Sequence, residues 1–123
     1  MKIILIIFAV IVLFVIVSFV RHNVCSAKER NLLTPLGELV EVNGHNMSVY
    51  TEGDGDKTFV FMSGSGTCSP ILDFKSLYSL LSNEYKIAVV EKFGYGFSDV
   101  VDKNRDIDTI LSETRMALDK AGI

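Results

Sequence analysis

Lys86-Ile87-Ala88-Val89-Val90-Glu91-Lys92-Phe93-Gly94-Tyr95-Gly96-Phe97-Ser98-Asp99 is the stretch on which the fold turns. Ile87 to Val90 run apolar without alternation, the pattern of a strand covered on both faces in a partly parallel sheet. Gly94 and Gly96 then let the chain turn sharply where it leaves the sheet. Upstream, Thr58-Phe59-Val60-Phe61-Met62 has the same apolar continuity, so it too is expected to be buried on both faces. It runs into a small-residue loop, Ser63-Gly64-Ser65-Gly66-Thr67-Cys68-Ser69-Pro70. Between the two strands Phe74, Leu77, Tyr78 and Leu81 recur at i, i+3, i+4 and i+7, one face of a helix with Asp73 as N-cap and Asn83 as its stop. Strand, helix and strand in that order imply a right-handed crossover and an α/β fold.

Further from this centre, Leu39, Val40 and Val42, then Met47, Val49 and Tyr50, flank the turn residues Asn43-Gly44-His45-Asn46 and predict a leading β-hairpin. Gly53-Asp54-Gly55-Asp56 makes the next turn. After Asp99 a second helix is marked by Asp106 as cap and Gly122 as terminator. Its expected buried face is Ile107, Ile110, Leu111, Ala117, Leu118 and Ala121.

The amino terminus follows a different rule. From Ile3 to Val20 every residue except Ser18 is apolar, close to the roughly 20 residues a helix needs to cross a hydrocarbon core. Lys2 and Arg21 close its ends. Residues 1–22 are therefore expected to be a single-pass transmembrane anchor, 23–36 a linker containing Pro35, and 37–123 the domain. A cleaved secretion signal is the alternative, but its apolar stretch is usually about 7 to 15 residues, and Arg21, His22 and Asn23 part this run from the small residues Cys25-Ser26-Ala27. The basic residues on either side do not fix which face of the membrane the domain occupies.

Twelve Lys and Arg against fifteen Asp and Glu give a formal charge of -3, which speaks against a nucleic-acid partner. Cys25 and Cys68 are too few for a disulfide framework and lack metal-ligand spacing. Cys25 lies beside the anchor, where acylation is the functional option and a chance cysteine the plain one. The bilayer is the expected partner of the first segment.

In open α/β sheets, ligands bind at the carboxyl ends of strands, where both glycine-bearing loops fall. The first, Ser63-Gly64-Ser65-Gly66, would bring backbone N–H groups to a developing negative charge, or else it is a tight strand-to-helix turn. It does not fit a phosphate loop: position 69 is Ser69, not the third glycine of G-x-G-x-x-G, and no P-loop lysine follows.

Taken together, the two loops resemble the N-terminal part of an α/β-hydrolase, whose third strand ends in H-G-x-G and fourth in D-x-x-G-x-G-x-S. Here these read Ser63-Gly64-Ser65-Gly66 and Glu91-Lys92-Phe93-Gly94-Tyr95-Gly96-Phe97-Ser98, within a resemblance spanning Gly37 to Ile123. Ser63 stands where the family often has His, and Glu91 where it often has Asp. The resemblance implies that the Ser65 backbone N–H is one oxyanion-hole donor and that Gly94, Gly96 and Ser98 shape the second loop. It implies a small-molecule acyl substrate, an ester, amide or similar bond, and no cofactor. No nucleophile motif G-x-S-x-G is present: Ser63, Ser65, Ser69 and Ser98 all lack the two-glycine bracket. Neither His22 nor His45 is placed as a general base. The expectation is an N-terminal fragment of a membrane-anchored serine hydrolase, inactive by itself, with the 58–62 strand showing an unpaired apolar edge. The alternatives are an anchored, non-enzymatic binding protein and, fitting the two amphipathic helices poorly, a membrane protein with a disordered soluble part.

Overall fold

The computed structural model describes residues 2–30 and 33–123, divided between Thr34 and Pro35 into two compact units. The first is a single helix, α1 (Lys2–Arg30), 29 residues with none buried, long and apolar enough to cross a membrane. It runs past the expected end of the anchor, so residues 23–30 are helical where a tether was expected. They contain neither Gly nor Pro to stop propagation, and Lys28 and Arg30 complement the negative end of the helix dipole. Asn31 and Leu32 of the expected linker lie outside the described residues.

The second unit is built on a four-stranded sheet of β1 (Glu38–Val42), β2 (His45–Glu52), β3 (Thr58–Met62) and β4 (Lys86–Glu91), in the order β1-β2-β4-β3. The hairpin is tighter than expected. Val42 pairs with His45, leaving only Asn43 and Gly44 in the turn, both at positive φ (55° and 81°), as a two-residue type I′ loop demands. His45 and Asn46 thereby join β2. That strand pairs antiparallel with β4, and β3 pairs parallel with β4.

Alternation along β4 divides the core between the two faces of the sheet. Ile87 and Val89 pack with Ile71 and Tyr78, beside Tyr50, Phe61 and Phe74. Val90 packs with Val40, Val42, Met47, Val49, Phe93 and Ala117. Full burial of an aliphatic side chain contributes about 1.5–3 kcal/mol, which makes β4 the principal apolar element. β3 does not match its expected burial on both faces. Phe59 and Val60 are each 45% exposed, since β4 is the strand's one partner in the sheet.

The crossover is not one helix but two, α2 (Pro70–Asp73) and α3 (Lys75–Leu81), parted at Phe74. Asp73 is therefore the last residue of α2, not an N-cap. The bend lets Ile71 and Tyr78 both reach the sheet, and Tyr78 Oη donates to the Ile71 carbonyl at 2.8 Å across it. Leu77 is turned outward, unlike Phe74, Tyr78 and Leu81 of the expected face.

α4 (Ile107–Lys120) begins as expected: Asp106 accepts from the Thr109 amide at 2.8 Å. It ends in a Schellman motif, with Gly122 at φ 74° donating to Asp119 O and Ile123 N to Leu118 O. Its buried face differs from expectation. Glu113, Thr114 and Ala117 lie inward, while Ile107 (74% exposed) and Leu111 (46%) face out. Two polar side chains are accommodated because each has a partner: Glu113 forms an ion pair with Arg105, and Thr114 Oγ1 donates to the Ile110 carbonyl at 2.7 Å.

Candidate functional site

β3 and β4 run parallel, so the loops that follow them, residues 63–69 and 92–99, leave the sheet at one end, side by side. An open cleft of about 560 Å³ lies between them, lined by Gly66 to Ser69 and Gly94 to Gly96.

The second loop is fastened to the sheet throughout. Glu91, the last residue of β4, is fully buried, and both its carboxylate oxygens are used. Oε1 accepts from Ser69 Oγ at 2.6 Å and Oε2 from the Phe97 amide at 2.9 Å. Gly96, at φ 51°, makes room for it, since a Cβ there would collide with that carboxylate. Ser98 is also buried: its Oγ accepts from the Ser48 amide at 2.8 Å and donates to the Glu91 carbonyl. Asp99 closes the loop against the hairpin, accepting from the Asn46 amide at 2.7 Å and donating its own N–H to Asn46 O at 2.9 Å.

The first loop is held from the second. Lys92 Nζ, 4.4 Å from the Tyr95 ring centroid, donates to the Ser63 carbonyl at 3.0 Å. Gly96 N donates to Cys68 O at 2.7 Å. Between these ends Gly64, Ser65 and Gly66 are exposed, and among the described residues the Ser65 amide has no hydrogen-bond partner. Ser63 itself is buried with its hydroxyl unpaired. An unpaired amide at a strand's carboxyl end is chemically suited to receive a negative oxygen.

Of the two histidines, only His45 belongs to the second unit. His22 lies on α1, and His45 opens β2 with its ring edge-on to Phe93 at 5.9 Å. Cys25 and Cys68 are free and exposed, Cys68 in the wall of the cleft. Ser65, Gly94, Gly96 and Ser98 lie in the segments after β3 and β4, where they were expected, whereas Ser69 and Lys92 were given no part. A serine before proline reads as a helix cap, yet Ser69 makes no side-chain cap bond because its hydroxyl is committed to Glu91.

No family model matches the chain. The uncharacterized protein YbdG of Bacillus subtilis is 50% identical over 123 residues, covering 99% of this chain and 38% of that protein. Among solved structures, a meta-cleavage product hydrolase of Pseudomonas fluorescens superposes with a TM-score of 0.64 at 21% identity, over 72% of this chain and 33% of that one. An α/β-hydrolase fold protein from Burkholderia ambifaria gives 0.61 at 20% identity, over 74% and 33%. An epoxide hydrolase from Vigna radiata gives 0.58 at 22% identity, over 70% and 28%. The chain thus spans about a third of the length of the proteins it matches, and at these identities the likeness is one of fold. With its sheet ordered β1-β2-β4-β3 and β3 parallel to β4, and with these structural neighbours, this chain is part of an α/β-hydrolase fold.

Proposed function

We propose that this chain is the N-terminal part of a membrane-anchored serine hydrolase, in which residues 1–22 anchor, 23–36 link and 37–123 begin the catalytic domain. The complete protein attacks an ester, amide or similar acyl carbon through a serine outside these 123 residues, without a cofactor. The Ser65 amide is one of the two N–H groups that hold the oxyanion. The observation that carries this reading is that amide itself, unpartnered in an exposed loop at the carboxyl end of β3. Support for the anchor comes from the length and apolarity of α1, with the bilayer as partner.

The test is fluorophosphonate labelling in membranes, applied to the 123-residue chain and to the chain continued by its downstream coding sequence. The continued form should label and the short chain should not; labelling of the short chain would overturn the reading. Within the continued form, Ser65→Pro removes the N–H and should slow labelling by about 10²–10³. Ser65→Ala keeps the N–H and should label normally. A second reading, a non-enzymatic anchored binding protein, is favoured by the exposed Phe59 and Val60 of β3. It gains if neither form labels while the short chain stays folded and protease-resistant.

A further inference from the structure

We propose that Glu91 and Lys92 are positioning residues, which grip the 63–69 loop at its two ends and so fix where the Ser65 amide points. This rests on the reading of that amide as an oxyanion donor.

The grip is asymmetric in a telling way. Lys92 holds the loop where it leaves β3, through the Ser63 carbonyl. Glu91 holds it where it enters α2, through the Ser69 hydroxyl. The Gly96 amide adds a bond beside the second point, to Cys68 O. Among the described residues no hydrogen bond ties down the middle, where Gly64 to Gly66 are exposed and a side chain on Gly64 or Gly66 would meet open space. A loop fixed at both ends and left open between them presents its amides without using them up.

The two grips originate from one rigid place. Glu91 and Lys92 are consecutive, and Glu91 ends the most deeply buried strand. The other oxygen of Glu91 receives the Phe97 amide, so the carboxylate is fixed before it reaches Ser69. Both grips are side-chain hydrogen bonds of ordinary length, 2.6 Å from Ser69 Oγ and 3.0 Å from Lys92 Nζ. Ser69 also gives up its usual role as a helix cap to make its bond.

The experiment uses the 123-residue chain in detergent micelles and reads the ¹⁵N order parameter of the Ser65 amide. A value near about 0.85, typical of rigid backbone, is expected in the unaltered chain, and a fall below about 0.6 in Ser69→Ala and in Lys92→Met. Ser69→Thr, which keeps the hydroxyl, should restore it. Amides of α4 and of the β1–β2 hairpin should keep their values in all variants. An unchanged Ser65 in both Ser69→Ala and Lys92→Met overturns the proposal. So does an equal loosening of α4 and the hairpin, which would mean a loss of general stability. The same variants in the continued form separate this inference from the reading beneath it. Labelling slowed about tenfold alongside a loosened Ser65 supports both. A loosened Ser65 with unchanged labelling leaves the grip standing and sinks the oxyanion role. A rigid Ser65 in those variants, with labelling still lost in Ser65→Pro, does the reverse.

Discussion

β3 and β4 are neighbours, parallel and similarly apolar, yet they occupy opposite environments. Ile87 to Val90 are fully buried, whereas Phe59 and Val60 of the paired strand are nearly half exposed. Composition alone therefore tells that a strand is made to be covered; the neighbours determine whether it is. β4 lies between β2 and β3 with helices on both faces, while β3 has β4 on one side only. The loops that follow inherit the contrast. The one after β4 is bonded to the hairpin and to itself, and the one after β3 is held only at its ends.

The largest effect should come from truncating matched positions. Phe59 and Ile87 are register partners. Ile87→Ala empties a fully buried site and should lower unfolding free energy by about 2–5 kcal/mol. Phe59→Ala, on the open strand, should cost about 1 kcal/mol, chiefly through its edge-on contact with Tyr85 at 4.8 Å. Urea midpoints of the two variants in micelles measure the difference, and equal losses would break the contrast between the strands.

The loops allow a smaller version of the same test. Gly96→Ala drives a methyl into the Glu91 carboxylate at a positive φ and should cost about 1–3 kcal/mol. Gly64→Ala meets open space without a positive φ and should change stability by less than about 0.5 kcal/mol. A similar cost at both sites would mean that the first loop is packed as tightly as the second.

Acid and alkali should act on a few hydrogen-bonded groups that solvent still reaches. The Ser82 hydroxyl, at 2.7 Å, and the Tyr50 hydroxyl, at 2.8 Å, hold the Glu52 carboxyl below its usual range. The backbone amide of Thr109 does the same for Asp106. A depressed folded pKa contributes stability above the ordinary carboxylate range, lost as pH falls through the folded value. Tyr50 runs the other way. Its hydrogen bond to Glu52, then burial, raises it from 10.0 to about 12, so its contribution is complete below pH 10 and lost as pH rises toward 12. Urea midpoints against pH should therefore fall at both ends. Glu52→Gln should flatten part of the acid limb and Tyr50→Phe the alkaline one, each modestly because solvent reaches these groups.

The sequence made the scaffold legible wherever a local signal was sufficient. The Asp106 cap and the Gly122 terminator act within a few residues and stand where they were read, while the turn read over Asn43 to Asn46 holds only Asn43 and Gly44. Readings that depended on distant partners went astray. Glu113, absent from the expected face of α4, lies inward paired with Arg105, eight residues away, while Ile107 and Leu111 face out. The break at Phe74 answers to the bond between Tyr78 and Ile71, which periodicity cannot register. In the candidate site the loops were found from their glycines, but the Ser69 and Lys92 bonds cross 22 and 29 residues and left no mark on spacing.

The smallest effect is on β3 itself and bears on what its open edge does. Thr58 to Met62 contain no charge and no proline, the devices by which edge strands resist pairing with another chain. Val60 is 45% exposed, so Val60→Lys should alter the unfolding free energy by less than about 0.5 kcal/mol, read from urea unfolding. The same lysine places a charge on the open strand and should reduce self-association of the chain, read by sedimentation in micelles. Val89→Lys, whose native partner in the register is Phe61, should unfold the domain instead. If Val60→Lys were as damaging as Val89→Lys, β3 would be a covered strand in solution, with a partner supplied by a second copy of the chain.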